Sequence, residues 1–249
     1  FFSRRIGLGE SGEPEGILAG GKVTGRFGRV KFGLLDVVLD ERDRVDQQNV
    51  LVARAAANFG ESTLGAIVTH GDPEANGNNT VAGADLVYRN TNFLAGKTLQ
   101  ASAWAQVSVN DPDKGPTADP EAVNGAGYAY GVALGFPNDR HDWEVTGRIF
   151  SDDFNPALGF ANRVGIREFR ARYRRRWRPD APRIQIVDAQ VDALLVTEQG
   201  RQVQTGSFTW RAIEVASPIG DGFRIEYNHR YENVGSEFEN FNVPLGRYH

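Results

Sequence analysis

Cysteine and methionine are both absent from the 249 residues. Without thiols there is no disulfide framework, no thiolate metal site and no cysteine nucleophile. With methionine missing even at position 1, the chain is expected to start inside a longer protein. Long apolar runs are missing too. None approaches the roughly 18 residues that a membrane helix needs, and Ala193-Leu194-Leu195-Val196 is typical of those present. A basic excess is also lacking. The formal net charge is -4, which argues against a nucleic acid partner. Mean hydropathy is -0.42, a soluble-looking average. That average carries no information for a β-barrel, whose polar lumen residues cancel its lipid-facing ones.

Helical periodicity is scarce, and a period of two recurs from end to end. In 99–110, Leu99, Ala101, Ala103, Ala105, Val107 and Val109 fall on one face. Gln100, Ser102, Trp104, Gln106, Ser108 and Asn110 fall on the other. In 141–151, Trp143, Val145, Gly147 and Ile149 oppose Asp142, Glu144, Thr146 and Arg148. Near the end, Phe223, Ile225, Tyr227, His229 and Tyr231 oppose Arg224, Glu226, Asn228 and Arg230. In 126–136 large residues share one face. Gly127, Ala129, Gly131, Ala133 and Gly135 share the other and leave room beside it.

The pattern predicts about twelve strands: 16–26, 29–40, 49–58, 62–70, 80–90, 97–110, 124–136, 141–151, 163–178, 183–197, 201–215 and 221–232. Short connections contain Phe27-Gly28, Phe59-Gly60-Glu61 and Pro137 to Arg140. They alternate with longer ones at 41–48, 71–79, 111–123 and 152–162. Short turns on one rim and long loops on the other are the outer-membrane pattern. The rule weakens at Glu198-Gln199-Gly200, which is short where a long loop is due. If the short turns are periplasmic, strand 16–26 runs inward, so an earlier strand is expected. No closing strand is evident at Gly246 to His249, so both ends read as cut. The fold class expected is all-β: an antiparallel up-and-down transmembrane β-barrel, with 1–249 a single region of it.

Strand 163–178 is the most unusual. Glu168, Arg170, Arg172, Arg174 and Arg176 lie on one face, and Phe169, Ala171, Tyr173 and Trp177 on the other, with Arg175 as an exception. An arginine facing lipid at mid-bilayer costs about 2–4 kcal/mol, so the arginine face must meet water, which in a barrel is the lumen. Arg175 is expected near the rim, snorkelling to headgroups. The next strand offers Asp188, Gln190 and Asp192 on one face. A short turn at Pro179 to Pro182 predicts that Asp188 faces Arg172 or Arg174, and Asp192 faces Glu168 or Arg170. Such a ladder has two readings: an anion-selective lining or site for an acidic solute, or a neutralised wall that stiffens the sheet. The loop 152–162, beside this strand, is placed to fold into the lumen as a constriction.

Catalytic and metal motifs are weak. Gly7-Leu8-Gly9-Glu10-Ser11-Gly12 fits a dinucleotide fingerprint, but Glu13-Pro14-Glu15-Gly16 follows where a helix should start. Asp111-Pro112-Asp113-Lys114-Gly115 is half a calcium loop without its remaining ligands. The 4 histidines lack metal-ligand spacing, and no G-x-S-x-G elbow is present. Adjacent Asp152 and Asp153 point opposite ways in an extended chain and make no carboxylate pair. Asn78-Asn79-Thr80 is a formal glycosylation sequon of little meaning in a bacterial barrel loop. The expectation is therefore no catalytic residue, no metal and no cofactor. Phe27, Phe59, Phe136, Trp143, Trp177, Tyr227 and Tyr231 suit interfacial girdles.

Several segments, in order, carry a family resemblance. They are Phe1-Phe2-Ser3-Arg4-Arg5-Ile6-Gly7, and Gly20 to Arg26 before Gly33-Leu34-Leu35. Asp153-Phe154-Asn155-Pro156-Ala157-Leu158-Gly159-Phe160 then leads into the arginine-rich strand. Tyr231-Glu232 leads to Phe238-Glu239 and Val243 to Tyr248. Together they resemble the C-terminal region of the carbohydrate-binding-family-9-like outer-membrane proteins, domain-of-unknown-function family 5916. The resemblance spans essentially the whole chain, and F-N-P-x-x-G-F is its most specific piece. It implies a carbohydrate-binding-like domain upstream and a barrel continuing past His249. It transfers no catalytic residue.

The expected function is a bacterial outer-membrane barrel that passes, docks or anchors something. Its partners would be outer-membrane lipid and a carbohydrate or acidic solute. Two other readings stay open: a soluble all-β carbohydrate-binding module, whose apolar faces would pack on a second sheet, and a barrel enzyme with a Ser/His/Asp cluster at one rim.

Overall fold

A computed structural model describes residues 3, 5–8, 14, 16–41, 45–73, 77–111, 123–200, 202–234 and 246–248. The chain is all-β. Its strands are β1 (Ile17–Phe27), β2 (Val30–Leu39), β3 (Gln48–Phe59), β4 (Ser62–His70), β5 (Asn78–Phe93), β6 (Lys97–Asp111), β7 (Gly125–Pro137), β8 (His141–Phe150), β9 (Ile166–Trp177), β10 (Ile186–Glu198), β11 (Val203–Ala216), β12 (Gly222–Val234) and the short β13 (Gly246–Tyr248). They form one 13-stranded sheet in sequence order. Every pair with a resolved register is antiparallel. No helix among the described residues is long and apolar enough to cross a membrane.

Each predicted strand is present. Connections after odd-numbered strands are short through β7, at 28–29, 60–61, 94–96 and 138–140. Those after even-numbered strands are longer, at 40–47, 71–77, 112–124 and 151–165. Gly28 and Gly60 sit at φ 58° and 60°, where a side chain would strain the tight reversal. The order inverts at 178–185 and 199–202. The half calcium loop falls outside the described residues beyond Asp111, as does the dinucleotide-like stretch beyond Leu8.

Strand β9 starts three positions later than predicted, at Ile166. Gly165 (φ 69°) turns the chain there, its N–H bonded to the Ser151 carbonyl at 3.2 Å. Strand β10 is also displaced, to Ile186. Pro179 and Pro182 cannot donate to a ladder, and the reversal closes instead through an Ala181–Ile184 bridge.

The chain divides into two compact units. The first comprises 1–88, 103–130 and 150–165, and the second 89–102, 131–149 and 166–249. In the first unit the alternating pattern separates two unlike faces. Val37, Leu39, Val50 and Val52 are buried and surround Leu158 from the connection 151–165, with Leu35 and Ile67 packed alongside. Phe32, Leu34, Leu64, Leu86 and Val107 point the other way and are exposed. In the second unit, Val132, Val145, Phe169, Trp210 and Ile225 are exposed on the apolar face. The alternate positions of β8 to β12 carry charge.

Candidate functional site

The arginine-rich strand lies in the second unit. The β9–β10 register sets Arg176 opposite Asp188, Arg174 opposite Gln190, Arg172 opposite Asp192, Arg170 opposite Leu194 and Glu168 opposite Val196. This corrects the expected register, which placed Asp188 against Arg172 or Arg174 and Asp192 against Glu168 or Arg170. The longer reversal 178–185 moves every rung along β9. Arg176 and Asp188 form a bidentate pair, Nε to Oδ1 at 2.8 Å and Nη2 to Oδ2 at 2.6 Å. Asp188 is buried. Asp192 accepts from Gln190 Nε2 at 2.7 Å.

Further carboxylates come from β8, from the turn before it and from β9 itself. Asp142 on β8 accepts from Arg174 at 2.8 Å and Arg172 at 3.3 Å. Glu168 lies 3.7 Å from Arg148 and 3.6 Å from Arg170, ion-pair separations that are too long for hydrogen bonds. In the turn before β8, Asp139 accepts from Arg178 and lies 4.0 Å from Arg176. The Arg178 guanidinium holds the Asp139 carboxyl below its ordinary value of 3.8, with Arg176 and Arg174 adding to the effect. The sequence hid Asp139 and Asp142 as partners because they precede β9 by a long connection. Only the strand order β8–β9–β10 brings them to its flank.

On β8 to β10 this face sets Arg148, Arg170, Arg172, Arg174 and Arg176 against Asp142, Glu144, Glu168, Asp188 and Asp192. Glu198, at the end of β10, adds a sixth carboxylate to the five cations, so the face is close to neutral. The balance continues on β11 and β12. Arg211 meets Glu226 at 3.1 Å and Glu214 at 3.3 Å, and Arg224 meets Glu214 at 2.5 Å. A register shift between Arg211 and Ile213 brings Arg211 and Glu214, three apart, onto one face. Arg175, on the apolar face, stacks over Trp177 with its guanidinium carbon 4.5 Å from the ring centroid. That cation–π contact shields the charge locally.

The first unit holds a strap. From the end of β8, residues 151–158 run along polar positions of β7, β6 and β5 and onto the buried apolar positions of β3 and β2. The Ser151 N–H bonds to the Tyr128 carbonyl at 2.8 Å and the Asn155 N–H to Ser108 Oγ at 3.1 Å. Asn79, 1% exposed, donates to the Asn155 carbonyl at 2.8 Å and accepts from the Ala157 N–H at 3.3 Å. The same amide donates to Asn110 Oδ1 at 2.6 Å, and Asn110 donates to the Asp153 carbonyl at 3.4 Å. Phe154 packs tilted against Phe150, 6.0 Å between centroids, and Phe150 likewise against Trp104 at 5.9 Å. This accounts for a tryptophan on the polar side of β6. At Gly127 the small-residue face of β7 is covered by the strap: a Cβ there would collide with the Asp153 carbonyl and the Phe154 nitrogen.

Asn110 was legible only as a polar position of an alternating strand, and Asn79 fell in the expected connection 71–79, whereas β5 begins at Asn78. His70 bonds to Thr80 Oγ1 at 2.8 Å and His141 to the Tyr173 hydroxyl at 2.9 Å. Among the described residues no group of three His, Cys, Asp or Glu could hold a metal. The chain matches no family model, no curated protein and no solved structure.

Proposed function

We propose that this chain forms the wall of a bacterial outer-membrane β-barrel, its apolar face against lipid and its polar face lining a water-filled lumen. The observation that carries the reading is the inversion of the usual burial pattern. Large apolar side chains are exposed along the strands while the alternate face holds ion pairs and a packed strap. A soluble sandwich buries its apolar faces against a second sheet, whereas the strands among the described residues all belong to one.

Within the first unit the strap supports a curled sheet. From β7 to β2 is about 24 Å along a flat sheet, at about 4.8 Å per strand. Residues 151–158 reach about 24 Å only when fully extended. The Pro156–Gly159 turn (carbonyl to N–H, 2.7 Å) takes up part of that length. A sheet that bends toward the strap resolves the shortfall. The strap then narrows the lumen, and the balanced charges of β8 to β12 cross-link the wall rather than offer free cations to a solute. The outer-membrane location and a link to carbohydrate draw on the resemblance to the carbohydrate-binding-family-9-like proteins. The barrel acts as a channel, with docking or anchoring of an attached domain as the companion role.

The test is heat-modifiability of the protein in isolated outer membranes. An unboiled sample that migrates differently from a boiled one on a detergent gel is the expected result. Recovery in the soluble fraction with no shift would sink the reading and make the apolar faces an interaction surface instead.

A further inference from the structure

Two lysines of the first unit differ from the arginines of β8 to β12. Lys22 on β1 and Lys31 on β2 form no ion pair among the described residues. Register places them on one face: Lys22 lies opposite Leu35, Thr24 opposite Gly33 and Arg26 opposite Lys31. Strand β3 continues that face with Arg54 opposite Gly33 and Val52 opposite Leu35. Together these strands line a groove of about 560 Å³, inside the range of about 300–1,000 Å³ usual for small-molecule sites.

The groove is largely apolar and basic at its edges. Leu35, Val52 and Ala56 form its floor, and Gly33 leaves it deep. Val52 and Leu35 also belong to the cluster around Leu158, so the strap closes the floor at one end. Arg54 is occupied by Asp85, with Nη2 at 2.8 Å from Oδ1 and 3.0 Å from Oδ2. Gly65 makes room for that pair, since a Cβ there would lie 2.7 Å from the Asp85 carboxylate. With Asp85 held by Arg54, the two ammonium groups face an apolar floor without a counter-ion.

We propose that this groove binds a small carboxylate with an apolar body. The lysines supply charge-assisted contacts to the carboxylate, and the floor removes the apolar part from water. A neutral analogue keeps the second contribution and loses the first. The proposal does not need the sheet to close.

The test uses the full chain folded in uncharged detergent micelles, with 4-fluorobenzoate and 4-fluorobenzamide followed by fluorine NMR. The acid should bind above protein-free micelles, and the amide about ten-fold more weakly, as one charge-assisted contact requires. Lys22→Gln with Lys31→Gln should remove the preference, and Lys97→Gln should not. Gly33→Val should weaken both probes. Its Cβ would meet only Thr24 Cγ2, at 3.7 Å, so the strand tolerates it while its branches enter the groove. Circular dichroism verifies the fold of each variant. Equal binding of acid and amide, an undiminished preference in the double lysine variant, or no binding above micelles would each overturn the proposal. Binding by a protein that shows no heat-dependent gel shift would keep the groove and remove the membrane reading.

Discussion

Asn79 is the side chain on which the strap most depends. Its amide serves Asn110, the Asn155 carbonyl and the Ala157 N–H from a position almost without solvent contact. Truncation leaves buried partners unpaired, at about 1–3 kcal/mol. Asn79→Ala is expected to lower the unfolding free energy in detergent by that amount, and an unchanged denaturant midpoint would contradict the clamp. Asp139 makes a prediction about pH. Its folded pKa is depressed by Arg178. The pair therefore contributes above the unfolded carboxylate's pKa, and its contribution is lost as pH falls through the lower folded value. Carboxyl-carbon NMR should place the Asp139 midpoint below 3.8, with Arg178→Gln moving it up. A midpoint indifferent to Arg178 would mean that the pair does not persist in solution.

At the scale of elements, the strap and β7 are fitted by backbone contact. Gly127 and Gly135 lie on the same face of β7, yet a Cβ at 135 meets only ordinary contacts, the nearest being the Trp143 carbonyl at 3.6 Å. Gly127→Ala should therefore destabilise by about 1–3 kcal/mol as the strap lifts. Gly135→Ala should stay within about 0.5 kcal/mol of the parent. Equal effects in thermal unfolding would show that the strap does not rest on β7. If the strap narrows a lumen, deleting 152–162 should raise single-channel conductance in planar bilayers, and unchanged conductance would place it away from the conducting path. The arginine strand was legible as an element whose charged face needs water, because alternation and desolvation are local facts. Its register was not. A turn lengthened by Pro179 and Pro182 moved Asp188 onto Arg176.

For the whole molecule, the balance of charge on β8 to β12 matters more than the number of arginines. Asp142 serves both Arg172 and Arg174, so Asp142→Asn makes that face more positive by one charge. In a lumen this should shift the reversal potential in a salt gradient toward anion preference. A reversal potential unmoved by Asp142→Asn would mean that ions do not pass this face. A run of arginines in sequence suggests an anion path. The fold answers it with carboxylates from strands on either side of β9.

The sequence by itself determined the all-β class, twelve of the thirteen strands but not the short β13, the alternation of short and long connections as far as β8, and the two unlike faces. All follow from the period-two placement of side chains on an extended backbone. Tertiary structure alone decided three further things. It paired Asp139 and Asp142 with the arginines, since only strand order brings them to β9. It laid 151–158 across the first unit, since Gly127, Asn79 and Asn110 recognise the strap's backbone rather than a sequence motif. It left Lys22 and Lys31 over an apolar floor, since whether a cation is paired depends on neighbours far away in the chain.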